Sequence, residues 1–65
     1  MITASRLNGK PIVINADLIR SVEQNPETTI TLINGEDIIV RESMDEIVSR
    51  SIEYARTLRR LTPRA

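Results

Sequence analysis

The stretch RLNGKPIVIN, residues 6–15, predicts a β-hairpin, and LINGEDIIVR, residues 32–41, repeats its layout twenty-six residues later. In each stretch an Asn-Gly pair separates two runs of mainly aliphatic residues. Asn followed by Gly is a strong hairpin signal, because both residues tolerate the positive φ that a type I′ turn requires. Asn8-Gly9 and Asn34-Gly35 are therefore predicted to be hairpin turns. The match between the two stretches is consistent with a weak duplication, or simply with the layout that any two hairpins share.

The sequence around these turns predicts five short strands within about residues 2–41. A tight bend is expected at 15–17, and a turn at 24–27, where Pro26 pre-sets φ. Five strands followed by one helix predict an α+β fold that is mainly β. We expect a small antiparallel five-stranded meander or partly open barrel with one C-terminal amphipathic helix.

The helix is predicted over about residues 44–61. Ser43 is a good N-cap and Glu46 stands three residues later, so the two can form a capping box. Met44 is expected in the core, Tyr54 at the edge of the helix interface, and Pro63 just past the helix end. The apolar stripe at helical spacing consists of Met44, Ile47, Val48, Ser51, Ile52, Ala55, Leu58 and Leu61.

Length and composition predict a single domain, residues 1–65, that self-associates. Apolar residues make up 40% of the chain, but there is no Phe or Trp and only one Tyr, so the core must consist of Ile, Val and Leu. A core in a chain this short rarely supplies more than roughly 3–5 kcal/mol without a disulfide, a metal or a partner subunit. Cys and His are absent, which excludes disulfides and nearly all tight transition-metal sites. A homo-oligomer is the remaining solution.

Two predicted strands are apolar on both faces, which also points to an oligomer. In PIVI and DIIV, one aliphatic side chain points away from the others. Such strands imply either closure into a barrel or burial of the second face by another subunit. The residues predicted to lie in the core or on the oligomer face are Val13, Ile39, Ile52, Ala55 and Leu58.

The sequence offers no defensible catalytic, cofactor or metal site. Nucleophilic catalysis normally pairs Ser or Cys with His, and this chain has no Cys and no His. Most carboxylates of the first forty residues stand in or beside turns and are too sparse for a calcium loop. Both glycines have turn roles, so no phosphate loop remains. We therefore expect a protein that is not an enzyme and uses no cofactor.

Charge is balanced overall but uneven along the chain. Nine basic residues match nine acidic ones, yet from Tyr54 onward there are four arginines and no acid. Arg56, Arg59 and Arg60 either complement the helix dipole or contact an acidic partner, RNA or a membrane surface. No apolar run approaches the ~20 residues of a membrane span, and the N-terminus lacks signal-peptide features. We expect a cytoplasmic protein without direct membrane insertion.

Residues 6–56 resemble the FlbD family of small flagellar proteins, which includes SwrD-like swarming motility proteins. The resemblance rests on LNGK, INADLI, VE followed by PETTITLING, and VRES ahead of the IVSRSIEY helix. One departure is Glu36, where the family leads us to expect a basic residue after the second turn. The resemblance implies a cytoplasmic, non-enzymatic accessory that supports swarming by acting on the flagellar motor, through its stator or basal body.

Two hypotheses for the partner follow. In the first, an oligomer binds an acidic surface of a motor protein through Arg56, Arg59 and Arg60. In the second, the chain is a small dimeric RNA-binding regulator, because its layout is also similar to the carbon storage regulator family, with Arg6 and Arg41 near the nucleic acid. The zero net charge and the lack of aromatic residues in the strands disfavour RNA binding.

Overall fold

The structure, a computed structural model, describes residues 1–61 and confirms an α+β fold made mostly of strands. The predicted helix end at Pro63 lies outside the described residues. In chain order the elements are β1 (Ile2–Ser5), β2 (Pro11–Ile14), a 3₁₀ helix (Ala16–Leu18), β3 (Ile19–Gln24), β4 (Thr28–Leu32), β5 (Asp37–Val40) and α1 (Met44–Leu61).

The five strands form two antiparallel sheets. β1 pairs with β2, and β4 pairs with both β3 and β5. The sheets meet where Arg6 bridges Val40 and the Arg41 N–H donates to the Ser5 carbonyl at 2.8 Å. Within residues 1–61, β2 and β3 do not pair, because the 3₁₀ helix turns the chain between them. The expected meander is therefore divided into two sheets, and the described residues form no closed barrel.

Both hairpin turns close in the same way, but neither is type I′. Among residues 1–61 only Gly9 (φ 86°) and Gly35 (φ 88°) have positive φ, so Asn8 and Asn34 do not take the expected left-handed conformation. Each Asn side chain instead accepts a hydrogen bond from the backbone N–H two residues later, at 3.0 and 2.9 Å. The backbone bonds run from Arg6 N–H to the Lys10 carbonyl, Gly9 N–H to Arg6, Leu32 N–H to Glu36, and Gly35 N–H to Leu32. This is the three-residue hairpin loop with glycine in a bulge.

Both helical segments begin with side-chain caps. Asn15 Oδ1 accepts from the Asp17 N–H at 3.0 Å at the start of the 3₁₀ helix. At the start of α1, Ser43 Oγ accepts from the Glu46 N–H at 3.2 Å, and Glu46 Oε1 accepts from the Ser43 N–H at 3.5 Å. The side chain of Gln24 adds a third cap, since its Oε1 accepts from the N–H of the first helical residue at 2.9 Å. That cap ties β3 to the helix start.

The core is small and draws on both sheets and one helical residue. Within the described chain, Ile47 is the only buried residue of α1, and it packs against strand residues from both sheets. Met44, expected in the core, is instead 37% exposed, because the helix turns a different sector towards the strands. The buried apolar residues are Ile2, Ala4, Ile14, Ile30, Val40 and Ile47.

Candidate functional site

The inner face of α1 is the side that packs against the strands. Ile47 is fully buried, and Ser51 and Tyr54, four and seven residues later, are half-buried on the same side. The Ser51 hydroxyl donates to the Ile47 carbonyl at 2.9 Å, so this polar group is satisfied inside the helix. Tyr54 packs at the margin of the core, at the edge of the helix interface.

The outer helix stripe, which we define as Met44, Val48, Ile52 and Ala55, lies beside this inner face. Its large members are well exposed, with Val48 at 45% and Ile52 at 47%. The stripe forms one wall of an open groove of about 460 Å³ whose other wall comes from the 3₁₀ helix and β3. The wall residues facing the stripe are Ala16, Ile19, Arg20, Ser21 and Val22. An apolar surface next to a groove is a feature that fits a macromolecular partner.

A clamp of Glu42 and Arg50 holds the helix against the open edge of β1. Glu42 Oε1 accepts from the Ser5 N–H at 2.8 Å, and Glu42 Oε2 accepts from Arg50 Nη1 at 3.1 Å. The same Arg50 nitrogen donates to the Thr3 carbonyl at 2.7 Å. These bonds satisfy backbone groups that a sheet edge would otherwise offer to another strand. The clamp closes that edge with side chains.

The clamp also changes the acidity of Glu42, whose side chain is only 11% exposed. Burial alone raises the pKa of this carboxyl, because it disfavours the charged form. Hydrogen bonds from the N–H groups of Ser5 and Glu42, from the Arg50 guanidinium and from the Ser5 hydroxyl outweigh burial. The net effect holds the pKa of Glu42 below its usual value, so the clamp is formed by a carboxylate.

Arg56, Arg59 and Arg60 lie together at the far end of α1. All three are exposed, and at 100° per residue their directions span about 100° around the helix. Arg56 pairs with Glu53 at 3.2 Å, but within residues 1–61 no acidic side chain pairs with Arg59 or Arg60. The positive charge at this end is therefore only partly neutralised within the described chain.

Arg6 and Arg41 meet at the junction of the two sheets, beside the first hairpin turn. Arg41 Nε donates to the Leu7 carbonyl at 3.0 Å, and its guanidinium lies over Gly9. Arg6 joins the bridge to Val40 through its backbone and keeps an exposed side chain. Arg41 therefore supports the first turn, whereas among residues 1–61 no side chain covers Gly35 in the same way.

The five residues predicted for the core or the oligomer face lie on three different elements of the fold. None of them is buried, and they divide between the outward side of the strands and the helix. Val13 is 64% exposed on β2 and Ile39 is 41% exposed on β5, while Ile52, Ala55 and Leu58 lie on α1. Their role in an oligomer stays a prediction. In the described part of the chain, no helix is long and apolar enough to cross a membrane.

The clamp was not predicted from the sequence, because its partners are far apart along the chain. Ser5 and Glu42 are separated by 37 residues, and Thr3 and Arg50 by 47. A sequence signal did exist, since Glu42 and Arg50 are two charges of opposite sign eight residues apart around the helix start. That spacing alone does not identify the strand edge they close.

The family comparison identifies this chain. The family model of FlbD, described as flagellar and swarming motility proteins, matches residues 1–58 of the 65-residue sequence. The chain belongs to the FlbD family, as its resemblance to that family predicted. Searches of curated proteins and of solved structures returned no match. Membership implies a role related to flagella or swarming.

Proposed function

We propose that this protein supports flagellar motility as a non-enzymatic accessory that binds a motor protein on the cytoplasmic side of the flagellum. Membership of the FlbD family supports the flagellar part of this proposal. The contact is made by the basic end of α1, defined as Arg56, Arg59 and Arg60. Its partner is an acidic surface of the stator or of the basal body.

The proposed contact is supported by the incomplete ion pairing of this basic end. A surface arginine that makes no internal ion pair can pair with a carboxylate of another protein, often through two parallel hydrogen bonds. Arg59 and Arg60 have no such pair within residues 1–61. Their positions in the last turn also complement the helix dipole, which offsets part of the repulsion between these like charges.

The test replaces two of these arginines, Arg56→Glu and Arg60→Glu, in the motile bacterium that encodes the chain. Arg59 is left unchanged because it borders the outer helix stripe. We expect swarm expansion to fall to the level of a deletion strain, because attraction to an acidic partner becomes repulsion. Circular dichroism of the purified variant should show the wild-type helix content.

A matched control makes the same change of charge elsewhere. Arg6→Glu with Lys10→Glu alters two exposed cations beside the first turn and should leave swarming close to wild type. Normal swarming in the helix variant would contradict the proposed contact. Loss of swarming in the control alone would instead place the functional surface at the sheet junction, where an RNA contact was considered.

A further inference from the structure

The apolar surface of α1 is wider than its own core needs. At 100° per residue, the directions from Tyr54 through Ile47 to Ile52 cover an arc of about 160°. A helix on the surface of a globular protein needs an apolar stripe of roughly 100°. Ile47 is fully buried, whereas Val48 and Ile52 remain almost half exposed. The surplus is the outer helix stripe.

The two ends of the outer helix stripe carry charges of opposite sign. Asp45 lies in the first turn of α1 and Arg59 in the last. Each stands seven residues from Ile52, which is two helical turns less about 20°. Asp45, Ile52 and Arg59 therefore lie in one row along the helix. Asp45 makes no ion pair within residues 1–61, and neither does Arg59.

These two side chains cannot neutralise each other within one molecule. They are fourteen residues apart on one straight helix, which corresponds to about 21 Å along its axis. A second helix lying antiparallel, with a two-fold axis at Ile52, places each Asp45 beside the other copy's Arg59. A parallel arrangement would put Asp45 against Asp45 and Arg59 against Arg59. Charge therefore selects the antiparallel arrangement, which also opposes the two helix dipoles.

We propose that the outer helix stripe is a self-association surface, on which a second copy of this chain docks its own stripe in antiparallel orientation. The contact is isologous, so it closes as a dimer and leaves no unsatisfied surface for further growth. Ile52 meets its own equivalent at the axis, and Asp45 pairs with Arg59 of the second copy at both ends. Arg60, about 80° from Ile52, remains outside the contact, and Arg56, about 40° from Ile52 on the side away from Val48, lies at its margin. A dimer therefore still presents a basic helix end at each side.

The test is a charge exchange across the expected contact, read from the dimer dissociation constant. Asp45→Arg alone and Arg59→Asp alone should each raise that constant by about tenfold, because each creates two like-charge contacts per dimer. The double variant, Asp45→Arg with Arg59→Asp, should return it to within about threefold of wild type, because the pairs are restored with opposite polarity. Sedimentation or light scattering from micromolar to millimolar protein gives the constant.

Arg60→Asp is the matched control, since it makes the same charge change about 80° around the helix from Ile52. It should leave the dissociation constant within about threefold of wild type. Far-UV circular dichroism of every variant separates loss of association from loss of folding. The dimer test measures mass in solution and the motility test measures swarm expansion. Either proposal can therefore fail while the other stands.

Three results would overturn the proposal. A wild-type chain that stays monomeric at millimolar concentration would leave the stripe to a different protein. A double variant no tighter than the single variants would exclude the antiparallel pairing. An effect of Arg60→Asp as large as that of Arg59→Asp would show that net charge, and not the contact, governs association.

Discussion

The inner and outer faces of α1 are similar in composition and differ in environment. Ile47 on the inner face is fully buried against both sheets, whereas Ile52 on the outer face is 47% exposed. The inner face is also fixed by the Glu42–Arg50 clamp, while the outer one borders an open groove. This difference is the basis of our proposal that α1 packs on its own strands with one face and on a second copy of the chain with the other.

Truncating one isoleucine on each face should give the largest difference in the free energy of unfolding between the two faces. Ile47→Ala removes a buried side chain and should lower the free energy of unfolding by about 2–5 kcal/mol, enough to unfold a domain this small. Ile52→Ala is the matched change on the outer face. In protein dilute enough to be monomeric, it should lower the free energy of unfolding by less than about 1 kcal/mol, because the side chain is half exposed. Urea unfolding followed by circular dichroism measures both.

If Ile47→Ala does not fold, Ile47→Val still permits the comparison, with an expected loss of about 0.5–1.5 kcal/mol. Equal losses for matched changes at the two positions would show that the faces are not different in the folded chain. A loss at Ile52 that grows with protein concentration would support self-association, because a dimer contact adds stability by mass action.

The clamp that fixes the inner face should make stability depend on pH. Because the folded pKa of Glu42 is lowered, its contribution is fully present above the unfolded value of about 4.3 and is lost as pH falls below it. Glu42→Gln should therefore remove about 1–2 kcal/mol near neutral pH and flatten the acid-side decline. Unfolding free energies measured across acidic pH check both effects.

Glu53→Gln is the control for this prediction, since it removes a carboxylate from an exposed ion pair with Arg56 on the same helix. We expect it to lower the free energy of unfolding by less than about 1 kcal/mol, because an exposed ion pair contributes little to stability. An acid-side decline that is unchanged in Glu42→Gln would exclude the clamp as its source.

Local signals account for the parts of the fold that were predicted well. The strands, the 3₁₀ bend and the helix start depend on turn residues and caps within a few positions, such as Asn15 with Asp17 and Ser43 with Glu46. The turn type was not predicted correctly, because an Asn-Gly pair suits both a type I′ turn and a three-residue loop with a glycine bulge. The φ of Asn8 and Asn34 and the backbone hydrogen bonds around each turn separate the two.

The candidate site could not be predicted in full from the periodicity of the helix. A 3.6-residue repeat identifies apolar positions of a helix, but it does not say which sector of a wide arc meets the sheet. Met44 and Ile47 therefore look equivalent in the sequence, although only Ile47 is buried. Long-range contacts, such as that of Arg50 with Thr3, set the rotation of the helix.

The proposal that α1 packs on its own strands with one face and on a second copy with the other can be tested most directly by cysteine cross-linking, because the chain contains no cysteine. Ile52→Cys places a single thiol at the expected two-fold axis, and Val13→Cys places one on the exposed side of β2, 64% exposed in the native residue. The measurement is the fraction of disulfide-linked dimer after mild oxidation at a protein concentration above the dimer dissociation constant of the wild-type chain. We expect rapid, nearly complete cross-linking at position 52 and little at position 13, a result that would also place Val13 outside the oligomer face predicted from the sequence. Absent cross-linking at 52, or equal rates at the two positions, would contradict the proposal.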